Sequence, residues 1–174
     1  DKVLNTKDVT SIPQNRERIF IVCFKRELLG NLVFEFPSSN KKIDSIKKYL
    51  DNTKDEKLLY NEKFKHYHTL KNSIKNENTL YQWRRQYVRE NKSKVCPTLT
   101  ANMGTGGHNV PLLINKGIIR KLSPKECFRL QGFPENFKLP KIAYSHLYKQ
   151  AGNSVTVPLI KEIAIRIRKV LENM

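Results

Sequence analysis

Pro13-Gln14-Asn15-Arg16-Glu17-Arg18-Ile19-Phe20-Ile21-Val22-Cys23-Phe24 joins a proline-led turn to a continuous β-branched and aromatic run. The run at 19–24 reads as a buried strand, with Cys23 as a packing residue. Arg16 and Arg18 lead into it two positions apart, and period-2 geometry puts both side chains on one face. Two same-side guanidiniums at a strand edge suit an anionic or carbonyl-bearing ligand. The alternative is a pair of surface arginines neutralised by Glu17 and other acids.

Outside this stretch the chain is strongly basic. Its 174 residues carry 33 Lys plus Arg against 16 Asp plus Glu, a formal charge of +17. Such an excess favours polyanions, because each neutralised phosphate releases a condensed counterion. Charge alone does not separate DNA from RNA, an acidic membrane or a merely solvated surface. Hydrophobic residues make up 39%, enough for a modest core of one domain or of a small domain with flanking pieces. The mean hydropathy of −0.59 reads as a soluble protein. No run of 18 apolar residues and no signal-peptide pattern is present. Cys23, Cys96 and Cys127 are odd in number and far apart, which fits neither a disulfide framework nor a metal knuckle. Cys127 lies in a helical stretch and reads as packing; the setting expected is reducing, cytoplasmic and prokaryotic, near the nucleoid. His66, His68, His108 and His146 lack zinc spacing, so no metal is expected. The opening Asp1-Lys2-Val3-Leu4-Asn5, a short strand without an initiator Met, reads like the middle of a protein: an excised, processed or truncated piece.

From about 25 to 80 the chain is rich in Lys, Asn and Asp. Ile43, Ile46, Lys47 and Leu50 suggest a short amphipathic helix capped by Ser39 or Asn40. The charged stretch 54–78 reads as a peripheral, loop-rich helical insert anchored by Leu58, Leu59, Phe64, Tyr67, Leu70 and Ile74. At Leu80-Tyr81-Gln82-Trp83-Arg84-Arg85-Gln86-Tyr87-Val88-Arg89 aromatic residues interleave with arginines at close to strand alternation. That suits a surface touching phosphates and bases; an edge strand with basic outer residues is the alternative. Met103-Gly104-Thr105-Gly106-Gly107-His108-Asn109 is a glycine-rich loop able to bring backbone close to a ligand, without P-loop spacing. Val110–Ile114 and Ile118–Arg120 read as two strands around a turn at Asn115-Lys116-Gly117. Ser123-Pro124-Lys125-Glu126 starts a helix that should end near Gly132. The last element expected is a helix from about Val155 to Glu172, with Ile160, Ile163, Ala164, Ile167 and Leu171 as its apolar stripe.

Three blocks stand in order: Pro13-Gln14-Asn15-Arg16-Glu17-Arg18; Arg120-Lys121-Leu122 through Glu126, Arg129 and Gln131-Gly132-Phe133-Pro134; and Gly152-Asn153-Ser154-Val155. Together they resemble the last three ordered motifs of the DNA (cytosine-5) methyltransferase family, with the family's target-recognition region between the first two. The resemblance covers essentially the whole chain. It implies an α/β enzyme: here a mixed α+β piece, with an edge hairpin near 3–5 and 19–24 and a C-terminal helix belonging to a Rossmann-like domain, around a small irregular β-rich recognition domain. The implied division is 1–25 edge hairpin, 26–119 recognition domain, 120–142 organising segment and 143–174 closing block and helix.

The resemblance also implies transfer of a methyl group from S-adenosylmethionine to C5 of a cytosine flipped out of duplex DNA, in a restriction-modification setting. Arg18 would hold the carbonyl face of the flipped base, with Arg16 supporting it toward backbone phosphate. Asn153, Ser154 and Val155 would contact S-adenosylmethionine. Thr98 of the Thr98-Leu99 dipeptide would sit near the target phosphates, and Gln82, Arg84, Arg85, Arg89, Thr105, Gly106, Gly107 and His108 would read bases or grip the backbone. Glu126, Arg129 and Gln131 would shape the recognition region. The family's Pro-Cys nucleophile block, its Glu-Asn-Val block and its glycine-rich cofactor loop do not occur in this chain; Cys96-Pro97 has the reverse order, and the approach Asp8-Val9-Thr10-Ser11-Ile12 lacks the family's aromatic and glycine. The expectation is therefore a DNA-recognising portion, inactive alone, that needs an N-terminal part or complementary subunit. A non-catalytic DNA-binding module or truncated remnant is the alternative.

Overall fold

A computed structural model describes every residue except 26, 28–32, 39–40, 85, 106–108 and 173–174. The arginine-bearing stretch forms β2 (Glu17–Phe20), antiparallel to β1 (Lys2–Asn5) with Val3 opposite Ile19 and Leu4 opposite Arg18. A single helical turn, α1 (Thr6–Val9), follows β1 and is capped by the Asn5 side chain. The strand is shorter than the apolar run suggests. Leu4 and Phe20 pack on the C-terminal helix, but Val3, Ile19 and Ile21 lie 61%, 59% and 69% exposed, and Cys23 is exposed too. A continuous apolar run implies cover on both faces; among the described residues this two-stranded sheet has cover on one.

The second sheet has four antiparallel strands in the order β4-β3-β5-β6, namely Tyr87–Glu90, Tyr81–Arg84, Leu112–Asn115 and Ile118–Lys121. The aromatic–arginine stretch is thus a hairpin. The β5–β6 turn is as expected: Lys116 and Gly117 have φ of 50° and 77°, the paired positive values of a two-residue turn matched to strand twist. β6 spans the position expected to divide the chain at 119/120. α2 (Tyr67–Ser73) closes one face, with Leu70 and Ile74 packed on Tyr81, Trp83, Leu112 and Ile119. The stretch 54–78 is therefore less peripheral than its charge implies: Leu58, Leu70 and Ile74 are core residues. The amphipathic helix expected near 43–50 is only a 3-10 turn, Ile46–Tyr49, capped by Ser45, while Ser39 and Asn40 lie outside the described residues.

α3 (Pro124–Leu130) starts at Ser123 through the reciprocal capping box expected, and Gly132 follows it at φ 79°. α4 (Tyr144–Asn153) is a helix the sequence reading did not anticipate. α5 (Val157–Glu172) buries Leu159, Ile163 and Val170, with Ile160 and Ile167 partly covered; Ala164 and Leu171, expected in that stripe, are exposed. The helix packs on Leu4, Val9 and Phe20, so only part of the stripe finds a partner among the described residues.

One buried ion pair joins these pieces. Arg120 on β6 donates to both carboxylate oxygens of Glu126, at 2.8 and 2.7 Å, and to the Asp51 carbonyl at 2.6 Å. Glu126 also accepts from the amides of Asp51 and Ser123, each at 2.6 Å. Arg129 pairs with the Asp51 carboxylate. The second block thus holds β6, α3 and the loop at Asp51 together.

Candidate functional site

Strand alternation builds the first half of the site. Tyr81 and Trp83 point into the core, which leaves Gln82 and Arg84 on the opposite face, across from Arg89 and Tyr87. Gln82 accepts a 3.1 Å hydrogen bond from Arg84 Nη2 and so orients its guanidinium. This face forms one wall of a groove of about 780 Å³, completed by Asn15, Asn91, Ser93 and the run Pro97, Thr98, Thr100, Ala101, Asn102, with Asn109 beyond. Among the described residues two arginines and no carboxylate line it, so the groove is electropositive and rich in amide and hydroxyl groups. Thr98 Oγ1 donates to the Asn15 carbonyl at 2.7 Å, which ties the groove to the first arginine block. That block is further laced to the groove by the Asn15 amide on the Cys96 carbonyl (2.8 Å) and the Cys96 amide on the Pro13 carbonyl (2.6 Å).

Gln82, Arg84, Arg89 and Thr98 are thus brought together. Thr105 is exposed at the end of the 3-10 turn Ala101–Gly104, hydrogen-bonded to the Asn102 carbonyl and outside the groove lining. Arg85, Gly106, Gly107 and His108 lie outside the described residues. Asn15, Asn91, Asn102 and Asn109 were not singled out from the sequence. Their only signal is short polar side chains in turns, which ordinary loop chemistry also produces.

The second half is a cavity of about 230 Å³ lined by Thr6, Arg16, Arg18, Ile19, Phe20, Asn153, Ser154, Val155, Thr156 and Leu159. Arg16 and Arg18 do share this side, and the cavity also collects Asn153, Ser154 and Val155. Their settings differ sharply. Arg18 is exposed and donates to the Glu17 carbonyl at 2.6 Å. Arg16 is 5% exposed, and its guanidinium donates to the carbonyls of Leu99 (2.7 Å), Gly152 (3.1 Å) and Ser154 (2.8 Å). Burial, reinforced by the Arg18 charge, lowers the Arg16 pKa to about 10. Arg16 was expected to reach toward phosphate; both of its terminal nitrogens instead donate to backbone carbonyls inside the protein. Neither arginine forms an ion pair with Glu17 among the described residues. Thr6 was missed as well; its hydroxyl lies 2.9 Å from that of Thr156, a pairing across 150 residues that no local pattern marks.

Groove and cavity share a wall. A Cβ on Gly152 would lie 2.2 Å from the Thr100 carbonyl carbon and 2.4 Å from the Ala101 amide nitrogen. Only hydrogen fits where the end of α4 backs onto the groove-lining backbone. Gln131 braces the same wall, donating to the Ala151 carbonyl at 2.8 Å and accepting from Thr156 at 3.1 Å. Gln14 donates to the Leu130 carbonyl at 2.7 Å. None of the three cysteines lines the cavity. Cys96 and Cys127 are fully buried, and burial pushes both thiols up.

The sequence profile of C-5 cytosine-specific DNA methylases matches residues 1–169. The chain belongs to this family. It is 55% identical over 171 residues to the Type II methyltransferase M.Bsp6I of Bacillus sp. (strain RFL6), covering 97% of this chain and 54% of that protein. It is 33% identical over 168 residues to the Type II methyltransferase M1.ScrFI of Lactococcus lactis subsp. cremoris, covering 92% of this chain and 41% of that protein. The chain thus spans about half the length of the curated relatives it matches. Its fold resembles the crystal structure of S. pombe Dnmt2 methyltransferase, with a TM-score of 0.60 at 15% identity, over 99% of this chain and 57% of that one. Among the described residues no helix is long and apolar enough to cross a membrane, and no group of three or more His, Cys, Asp or Glu side chains could hold a metal ion.

Proposed function

We propose that this chain is the DNA-recognising and site-closing portion of a DNA (cytosine-5) methyltransferase. The observation that carries the reading is the juxtaposition of the electropositive groove with a cavity that collects Arg18 and Asn153-Ser154-Val155. In this reading duplex DNA lies against the β3–β4 hairpin, where Arg84, Arg89 and Gln82 meet base edges or phosphates. The target cytosine is flipped toward the cavity, and Arg18 donates to its carbonyl oxygen. Thr98 stays bonded to Asn15, holding the groove in register with the arginine block.

S-adenosylmethionine is the methyl donor the family implies. The cavity is smaller than the roughly 300–1,000 Å³ of a whole small-molecule site, so these residues fit one wall of the donor's pocket. Asn153 and Ser154 supply polar contacts, and Val155, Phe20 and Leu159 supply apolar ones. When bound, the donor supplies an electrophilic methyl carbon that replaces the C5 proton of cytosine.

The nucleophilic thiolate comes from an N-terminal part or a complementary subunit. The cysteines of this chain support that assignment: two are buried and neutral, and the third is away from the cavity. The bare apolar face of Val3, Ile19 and Ile21, with Val155 and Val157 also exposed, supports docking of that catalytic part on β1–β2. The division into hairpin 1–25, recognition unit 26–119, organising segment 120–142 and closing block 143–174 belongs to the same proposal.

The test measures transfer of labelled methyl groups to duplex DNA by this chain alone and by the chain supplied with Pro-Cys and Glu-Asn-Val blocks. Binding without transfer by the chain alone, and transfer on assembly, are expected. R84A with R89A should weaken duplex binding and flatten its salt dependence by about two logarithmic units of slope, roughly 0.9 per lost phosphate contact. Transfer by the chain alone, or binding indifferent to both arginines, would overturn the reading.

A further inference from the structure

The buried position of Arg16 is unusual for a residue beside a binding cavity. Its guanidinium has no carboxylate partner among the described residues, yet three carbonyls surround it: Leu99 at 2.7 Å, Gly152 at 3.1 Å and Ser154 at 2.8 Å. Gly152 lies in the last turn of α4, and Ser154 is the residue just after it. The Gly152 carbonyl, among the last carbonyls of the helix, accepts from no backbone amide among the described residues and so is an acceptor left over at the negative end of the helix. A cation there is stabilised without any acid. Leu99, the third acceptor, sits between Thr98 and Thr100, both lining the groove. The planar fork of arginine reaches two separate segments at once; a lysine ammonium, a point charge on a flexible stem, does not.

We propose that Arg16 is a positioning residue, whose buried guanidinium pins the groove wall at Leu99 to the end of α4 at Gly152–Ser154 and so fixes the offset between the DNA groove and the cavity lined by Arg18. The inference rests on the functional reading above. Its backbone is held from behind as well: the Arg16 amide donates to Asn5 Oδ1 at 3.0 Å, and its carbonyl accepts from the Thr6 amide at 2.9 Å. Gly152 lies in close contact with the backbone of Thr100 and Ala101, and Arg16 bridges the same two segments through hydrogen bonds. Methyl transfer needs reacting atoms about 3–3.5 Å apart, and a misplacement of about 1 Å costs on the order of a hundredfold in rate. Loss of the clamp therefore acts on turnover and leaves duplex affinity, set by the groove arginines, in place.

R16A removes every donor and can fail to fold, so R16K, which keeps the charge, carries the test. In the complete methyltransferase containing this chain, R16K should lower kcat by about 10- to 100-fold. Duplex Kd and KM should stay within about threefold, because no phosphate contact is lost. Amide hydrogen exchange in R16K should quicken together at 98–100 and 152–156, with protection of β5 and β6 unchanged. Weaker duplex binding with the salt slope reduced by about one would assign Arg16 to phosphate and overturn the clamp. Unchanged exchange at either segment would also overturn it, as would a kcat loss that merely tracks a smaller folded fraction. If the wild-type enzyme neither binds duplex nor transfers methyl groups, the functional reading fails, and coupled exchange at the two segments then decides the clamp by itself.

Discussion

Replacing Glu126 by Gln is the sharpest test of how this fold is held. The carboxylate is 0% exposed and its partner Arg120 2% exposed. Its Oε1 accepts from Arg120 Nη2 at 2.7 Å and the Asp51 amide at 2.6 Å; its Oε2 accepts from Arg120 Nη1 at 2.8 Å and the Ser123 amide at 2.6 Å. Whichever way the new amide turns, its NH2 faces two donors. One guanidinium N–H and one backbone N–H lose their acceptor, and the Arg120 charge is left without a counter-ion. Removing one partner of such a pair costs about 3–5 kcal/mol. At roughly 2–4 °C per kcal/mol for a domain of this size, the melting midpoint should fall by about 6–20 °C. Thermal unfolding followed by circular dichroism measures it, with R120M/E126L as the control that removes both charges. Removing both charges relieves the unpaired Arg120 but leaves the Asp51 and Ser123 amides without their acceptor, so the double variant should regain only the part of the loss that comes from the uncompensated charge. An E126Q midpoint within about 2 °C of wild type, or a double variant as unstable as the single one, would refute the reasoning. Duplex affinity at a temperature where both proteins are folded should not change, because no groove residue touches the pair.

Two further outcomes follow from the geometry. G152A forces a Cβ to within 2.2–2.4 Å of the backbone of Thr100 and Ala101, which cannot swing aside as a side chain would. It should cost about 1–3 kcal/mol in chemical unfolding, as overpacking does, and weaken duplex binding by distorting Thr100. Unchanged values in both assays would show that the two segments are not in contact. The acid limb of stability should depend on two tyrosines. The hydroxyl of Tyr49, then Lys48, lowers the Asp44 pKa below 3.8, and the Tyr144 hydroxyl lowers that of Asp55. Depressed carboxylates contribute stability above their unfolded pKa and lose it as pH falls through the folded one. The gap in melting midpoint between wild type and Y49F/Y144F should therefore be largest near neutrality and close as pH drops below about 4; a pH-independent gap would argue that the tyrosines act through packing alone.

Elements specified by short-range rules were legible from the sequence. The capping box at Ser123, the turn at Lys116-Gly117 and the helix stop at Gly132 each depend on a few adjacent residues. The interleaving of aromatics and arginines at 80–89 suggested strand geometry, but not that Tyr81 and Trp83 are buried while Gln82 and Arg84 face the groove, nor the turn between the strands. Errors arose where burial depends on distant partners. The run 19–24 has the composition of a strand covered on both sides, and composition does not say whether both covers are present. α4 begins at Ala143 without a side-chain cap and carries its buried residues, Leu147, Tyr148 and Ala151, against the 3-10 turn Ala101–Gly104. Nothing local marks its start, so its identity lies in packing across about forty residues of chain.

The role of Arg16 was hidden for a different reason. Its acceptors lie 83, 136 and 138 residues away, and all are backbone carbonyls. Every residue offers a carbonyl, so the partner of a buried guanidinium leaves no side-chain identity to read. An arginine beside an arginine then looks like anion chemistry, because the sequence shows the donors and not the acceptors. The trace such a clamp does leave is steric. Two backbones held this close exclude a side chain between them, and the glycine at 152, one residue from the proposed donor-binding Asn153, is where that exclusion is written. The Gly-Asn-Ser sequence thus combines two demands of different origin: the glycine answers to the groove wall behind it, and the asparagine and serine to the cavity in front.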